Sequence, residues 1–143
     1  MVRATHVIAL LAALVACAPV SGGAEVEVSR LTSPDGAIDA VLTEGNPGAS
    51  ASFVYRVHVV PKGETPSQAA YAAQLYGATR SPSAYGADLH WRAPGVLDVR
   101  YLQARSIDIP AHVVEVNGRK VSIALQEGVE NPEAPAGGMA PRD

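Results

Sequence analysis

His90 and Asp98 come nearest, by residue type and placement, to acid–base chemistry in this chain. A carboxylate facing an imidazole can orient a general base or steady a metal-ligating histidine. The turn between them, Ala93-Pro94-Gly95, decides whether they meet. Leu89 and Trp91 must share a face, as must Leu97, Val99 and Tyr101. A two-residue loop would set Trp91 against Asp98 and mix the faces. An odd loop centred on Pro94 sets Trp91 against Leu97 and Leu89 against Val99, so the hydrophobic pattern selects it. That register places His90 opposite Asp98 and Asp88 opposite Arg100. It is also the arrangement of a solvated cross-strand pair, contributing roughly 0.2–1 kcal/mol. The sequence positions no nucleophile or second acid beside it, so the reading leans away from an enzyme.

Other chemistry-bearing residues lead to weaker sites. His58, His90 and His112 fall on three separate strands with no His-x-x-x-His spacing, so no metal site is expected. No glycine-rich phosphate loop and no Gly-x-Ser-x-Gly elbow occurs, and no cofactor is implied. Tyr71, Tyr76, Tyr85 and Trp91 cluster in sequence around Arg80 and Ser81. Such aromatics could form a surface for a glycan or peptide. The plainer reading packs Trp91 and at least two tyrosines into the core. The binding-surface candidates are therefore Tyr76, Arg80, Tyr85, His90 and Asp98.

The elements that must position these residues read mainly as strands. Val26 and Val28 alternate with Glu25, Glu27 and Ser29, and Ser33-Pro34-Asp35-Gly36 forms a tight turn. Ile38, Ala40 and Leu42 continue with period two. Phe53, Tyr55, Val57 and Val59 make the next apolar face, with Arg56 and His58 opposite. Thr65 to Gly77 reads two ways. The favoured reading is a short alanine-rich helix, capped by Thr65 and Pro66 and stopped at Gly77. The other is a short strand at Leu75-Tyr76. Asn117-Gly118 is a strong hairpin signal that sets Val116 against Arg119, Glu115 against Lys120 and Val114 against Val121. The expected fold is mainly β, a single small antiparallel sheet or sandwich of about seven strands with room for one short helix.

The N-terminus carries the clearest address. Arg3 precedes the uncharged run Val7 to Val15, which is shorter than the roughly 20 apolar residues of a membrane-spanning helix. This is the pattern of an export signal. Leu14-Val15-Ala16-Cys17 resembles the lipobox of bacterial lipoprotein precursors. The resemblance implies cleavage before Cys17 and a diacylglycerol on its sulfur, holding the protein to a membrane. With Ala18 next, it implies an outer-membrane address facing the periplasm in a two-membrane cell. Cys17 is the only cysteine, so no internal disulfide competes for it. The alternative is cleavage after Ala24, which discards Cys17 and releases a soluble periplasmic or secreted protein. Residues 1–16 are thus an export signal, 17–24 a tether, 25–129 a β domain and 130–143 a proline- and glycine-rich tail expected to be disordered.

Composition narrows the partners. The chain has 11 lysines and arginines against 14 acidic residues, and a net charge of −3. With no basic cluster, nucleic acid is not an expected partner. The Ser33-Pro34-Asp35-Gly36 turn and the segment Trp91 to Val99 resemble hairpins of periplasmic β-propeller blades. A full propeller needs roughly 160 residues or more at about 40–45 per blade, which is more than this domain has. The mature part also resembles small uncharacterised bacterial envelope proteins carrying this turn and a Phe53-Val54-Tyr55-Arg56-Val57 strand, and that likeness implies no activity. The expectation is a lipid-anchored envelope protein acting as a binding or structural module, with an envelope protein or glycan as partner. The alternatives are a released periplasmic ligand carrier or inhibitor and a small envelope hydrolase using His90 and Asp98.

Overall fold

A computed structural model describes residues 25–81 and 83–134. The export signal, Cys17, the tether and the stretch 135–143 of the expected tail lie outside the described residues.

The described residues form eleven strands and no helix. β1 (Val26–Thr32), β2 (Ile38–Gly45), β3 (Val54–Pro61), β4 (Ala73–Tyr76) and β9 (Ser106–Asp108) make a five-stranded antiparallel sheet in that order. β10 (Val113–Val116), β11 (Arg119–Glu127), β8 (Val96–Tyr101) and β7 (Ala87–Ala93) make a four-stranded sheet. β5 (Arg80–Ser81) and β6 (Ala84–Tyr85) form a separate two-stranded ribbon. The core lies between the two large sheets. Ile38, Ala40, Leu42, Tyr55, Val57 and Leu75 come from one side, and Leu89, Trp91, Leu97, Val99, Val121 and Ile123 from the other. The indole N–H of Trp91 donates to the Leu31 carbonyl at 3.0 Å and links the sheets directly.

The expected registers hold. Trp91 pairs with Leu97, Leu89 with Val99, His90 with Asp98 and Asp88 with Arg100. The means differ from the odd loop. Ala93 pairs with Val96 across a two-residue turn, and a bulge at Arg92 supplies the extra residue. A bulge restores the alternation that the short turn alone would invert. At Asn117-Gly118 both residues take positive φ, 50° and 74°, as a type I′ turn requires, and the three predicted pairs form.

Three features depart from the sequence reading. The favoured helix over 66–76 is absent, and the alternative strand at Leu75-Tyr76 forms within β4. Residues 62–72 are irregular, and β4 pairs with β3, placing Leu75 fully buried opposite Tyr55. A lone alanine-rich turn has little intrinsic stability, and completing the ladder beside β3 outweighs it. The four-stranded sheet is not wholly antiparallel, because β11 runs parallel to β8. A parallel pair needs a crossover, and here the chain leaves β8, passes through the other sheet as β9, and returns as β10. Finally, the first residues of the expected tail are placed. Asn131 bridges to Ala84 and donates to Asp88 at 2.9 Å, and Ala134 is buried.

Candidate functional site

A polar layer covers the outer face of the five-stranded sheet. Strand alternation sends Ile38, Ala40 and Leu42 of β2 to the core and Asp39, Val41 and Thr43 outward. Yet every residue of β2 is buried. The outward side chains are covered because residues 62–72 fold across this face. The Gly63 N–H donates to Asp39 at 2.9 Å, the Glu64 carbonyl accepts from Arg30, and the Ala70 carbonyl lies 2.8 Å from His58 Nδ1.

β1 adds its carboxylates through a bulge at Val28. In a regular strand, residues three apart point to opposite faces. The extra residue puts Glu27 and Arg30 on the same side, where they form a bidentate pair at 2.8 and 2.9 Å. Arg30 also reaches Asp39 at 2.9 Å, and Thr32 donates to the same carboxylate at 2.8 Å. Burial would raise the Asp39 pKa, but the Gly63 N–H, Arg30 and Thr32 outweigh it and hold it below the usual range.

The centre of the layer is a chain of four polar groups. His58 is 1 % exposed. Its Nε2 lies 3.2 Å from Thr43 Oγ1, and that hydroxyl lies 2.8 Å from Glu25 Oε2. Glu25 also forms an ion pair with Arg56. Arg56 donates to Gln74 at 2.7 Å and sits over the Tyr71 ring at 5.4 Å.

Counting protons constrains this chain. A carbonyl only accepts, so His58 Nδ1 must carry its hydrogen toward Ala70. Thr43 has one hydroxyl hydrogen for two neighbours, Nε2 and Glu25. If it goes to Glu25, Nε2 must be protonated for the second contact to form. If it goes to Nε2, the Glu25 contact needs a protonated carboxyl. Both bonds form together only when the chain holds one more proton than neutral His58 and ionised Glu25 provide. Burial opposes that proton and lowers the His58 pKa, the Ala70 carbonyl raises it, and the nearby Arg56 charge lowers it further.

Two cavities open beside Glu25. One, of about 230 Å³, is lined by Gly45, Asn46, Pro47, Val54 and Arg56 together with Glu25 and Gln68. The other, of about 170 Å³, is lined by Glu27, Thr43, His58, Thr65 and Pro66 with the same Glu25 and Gln68. Because these two residues line both, the cavities form the two lobes of one trough, whose far wall is the 62–72 segment. Sequence alternation already put Arg56 and His58 on this face. It gave no sign that Glu25 and Thr43 would reach them or that 62–72 would roof them.

The sequence-derived candidates are distributed over the molecule. Tyr76 lies on the outer face of the five-stranded sheet, its hydroxyl accepting from the Ser52 N–H at 3.2 Å. Arg80 and Tyr85 pair across the β5–β6 ribbon. The Arg80 guanidinium stacks 4.0 Å from the Phe53 ring centroid and lies 3.6 Å from Glu44. Glu44 accepts from the buried Tyr55 hydroxyl at 2.6 Å, and burial together with this bond pushes the Tyr55 pKa up. His90 and Asp98 do face each other on the outer face of the four-stranded sheet. Asp98, however, is 1 % exposed and bound by Arg92 through both oxygens, with Arg100 at 4.0 Å. Arg92 is the main cause of its lowered pKa. The carboxylate is thus committed to arginine. Trp91 packs in the core as expected. His58 and His90 lie on opposite outer faces and His112 precedes β10, so the three histidines do not converge. Among the described residues no group of three or more His, Cys, Asp or Glu side chains gathers to hold a metal. Among the described residues, the trough at Glu25 and His58 is a concave site built from buried polar groups. No family model matches the chain, and no curated protein or solved structure matches it.

Proposed function

We propose that the protein is a lipid-anchored binding module of the bacterial cell envelope, held by Cys17 and presenting the trough at the root of its tether. The observation that carries this reading is the position of Glu25. Its side chain is only 8 % exposed and joins Arg56, Thr43 and, at 4.0 Å, His58. The residue that follows the tether is therefore a working part of the trough. Cleavage after Ala24 would make Glu25 the chain terminus, where backbone is least constrained. It would also place a new ammonium group within one residue of the side chain that holds Arg56 and His58. A chain retaining 17–24 avoids both effects, which favours the anchored form over the released one. The committed state of Asp98 favours binding over hydrolysis by the His90 and Asp98 pair.

Intact-mass analysis of protein from its native membranes tests the reading. The expected product begins at Cys17, carries a diacylglycerol, and shifts to the soluble fraction on Cys17→Ser. A lipid-free chain beginning at Glu25 overturns the anchored reading.

A further inference from the structure

From the lining of the two lobes, we infer that the trough takes a small zwitterion of the amino-acid or short-peptide type, its ammonium in one lobe and its carboxylate in the other. The inference rests on the trough being the binding surface and goes further in naming the ligand chemistry. The lobe beside His58 carries the carboxylates of Glu25 and Glu27 with the hydroxyls of Thr43 and Thr65. Glu27 already holds Arg30 and Glu25 holds Arg56 and Thr43, and the lone pairs that remain on these oxygens can accept hydrogen bonds from a cation. The lobe beside Val54 carries, next to the shared Glu25, the Arg56 guanidinium and the Asn46 amide, whose N–H groups not used by Glu25 and Gln74 are donors for a carboxylate. The Glu25–Arg56 ion pair sits at the divide: Glu25 lines both lobes, whereas Arg56 lines only the lobe beside Val54. Gln68 lines both lobes and can donate to one end of a ligand and accept from the other.

The lining also argues against other classes. Among the described residues no Phe, Tyr or Trp lines either lobe, and the one imidazole there, His58, is almost fully buried, so a sugar face or a nucleobase has no open ring to rest on. The lobe beside His58 is lined by two carboxylates and by no lysine or arginine, so it offers a phosphate ester no cationic partner. Taken together the two lobes reach only the low end of the roughly 300–1,000 Å³ of ligand pockets, so the ligand is small.

The test is an amide-shift titration of the purified mature chain in detergent with glycylglycine, N-acetylglycylglycine, glycylglycinamide, maltose and inorganic phosphate. Glycylglycine should saturably shift amides in 43–47 and 65–68. Blocking either end should weaken it at least tenfold, and Gln68→Ala should weaken it at least threefold while leaving the remaining spectrum in place. Equal binding of the blocked peptides, or trough shifts from maltose or phosphate alone, overturns the zwitterion and leaves the trough as the binding surface. Silence of the trough toward all five probes overturns both.

Discussion

At the scale of single residues, the polar layer puts ionisable groups under strong constraint, and His58 shows it most clearly. Its pKa is lowered from 6.5 chiefly by burial. The folded protein therefore favours the neutral imidazole more than the unfolded chain does. As pH falls below about 6.5, the unfolded state takes up a proton first and gains on the folded state. Stability should decline through that window until the lower folded-state pKa is reached. The charged groups facing His58 are Glu25, Glu27 and Arg56, and the Arg30 hydrogen bond holds Glu27 below the usual carboxylate range, outside this window. In urea titrations between pH 7.5 and 5.5, His58→Gln should remove most of this slope, and His90→Gln should keep it. An unchanged slope in His58→Gln would reject the assignment. Thr43→Val tests the neighbouring hydroxyl. It keeps the shape but removes the one group that touches both His58 and Glu25, and leaving buried polar atoms unpaired costs about 1–3 kcal/mol. A loss under about 0.3 kcal/mol would mean that Thr43 does not link them.

At the scale of elements, the informative contrast is between two glycines with positive φ. Gly86 (φ 86°) precedes β7, and a Cβ there would overlap the Tyr55 ring. Gly118 (φ 74°) sits in open space in the type I′ turn. Gly118→Ala should cost only the left-handed backbone, about 1–2 kcal/mol. Gly86→Ala adds a collision with a fully buried ring and should cost at least about 1 kcal/mol more. Equal midpoints in urea would show that Tyr55 yields without penalty. The same scale shows what sequence could convey. Alternation at Phe53, Tyr55, Val57 and Val59 identified the faces of β3. The need to keep Trp91 and Leu97 together gave the register of β7 and β8. Both are local inferences, because partners near in sequence leave few choices. The bulge at Arg92 is one remove further, since a bulge and a longer loop satisfy the same pattern. The helix expected over 66–76 failed for a non-local reason. Leu75-Tyr76 carried a strand signal within that segment, but nothing there showed that the edge of β3 was open to receive it.

At the scale of the whole molecule, the two sheets share one hydrophobic cluster and cannot each keep a core alone. Trp91, the single tryptophan, stands at their junction with its indole bonded across to Leu31. Its fluorescence and the far-ultraviolet circular dichroism should therefore report the same urea midpoint, as one cooperative unit requires. Two separated midpoints would mean that the sheets unfold independently. The candidate site follows the same division between local and global. Arg56 and His58 were visible as an outward pair, but Glu25, Thr43 and the 62–72 roof come from three other parts of the chain. Pairings at that sequence distance leave no periodic signature. Of the five candidates, Arg80 and Tyr85 pair on the β5–β6 ribbon and His90 and Asp98 pair on the four-stranded sheet, while Tyr76 lies on the five-stranded sheet, so the pairs meet but the three elements that carry them do not build one surface.

The parallel pairing of β8 with β11 has a consequence for how the chain reaches this state. The hairpins β7–β8 and β10–β11 are local and can form on the order of 1–10 μs. In the folded state the connection that joins them lies down as β9 on the far sheet, so one segment closes both sheets. The expected slow step in refolding is the long-range pairing of β8 with β11, and in stopped-flow refolding its rate should respond to changes in the 102–112 connection more than to changes in either hairpin turn.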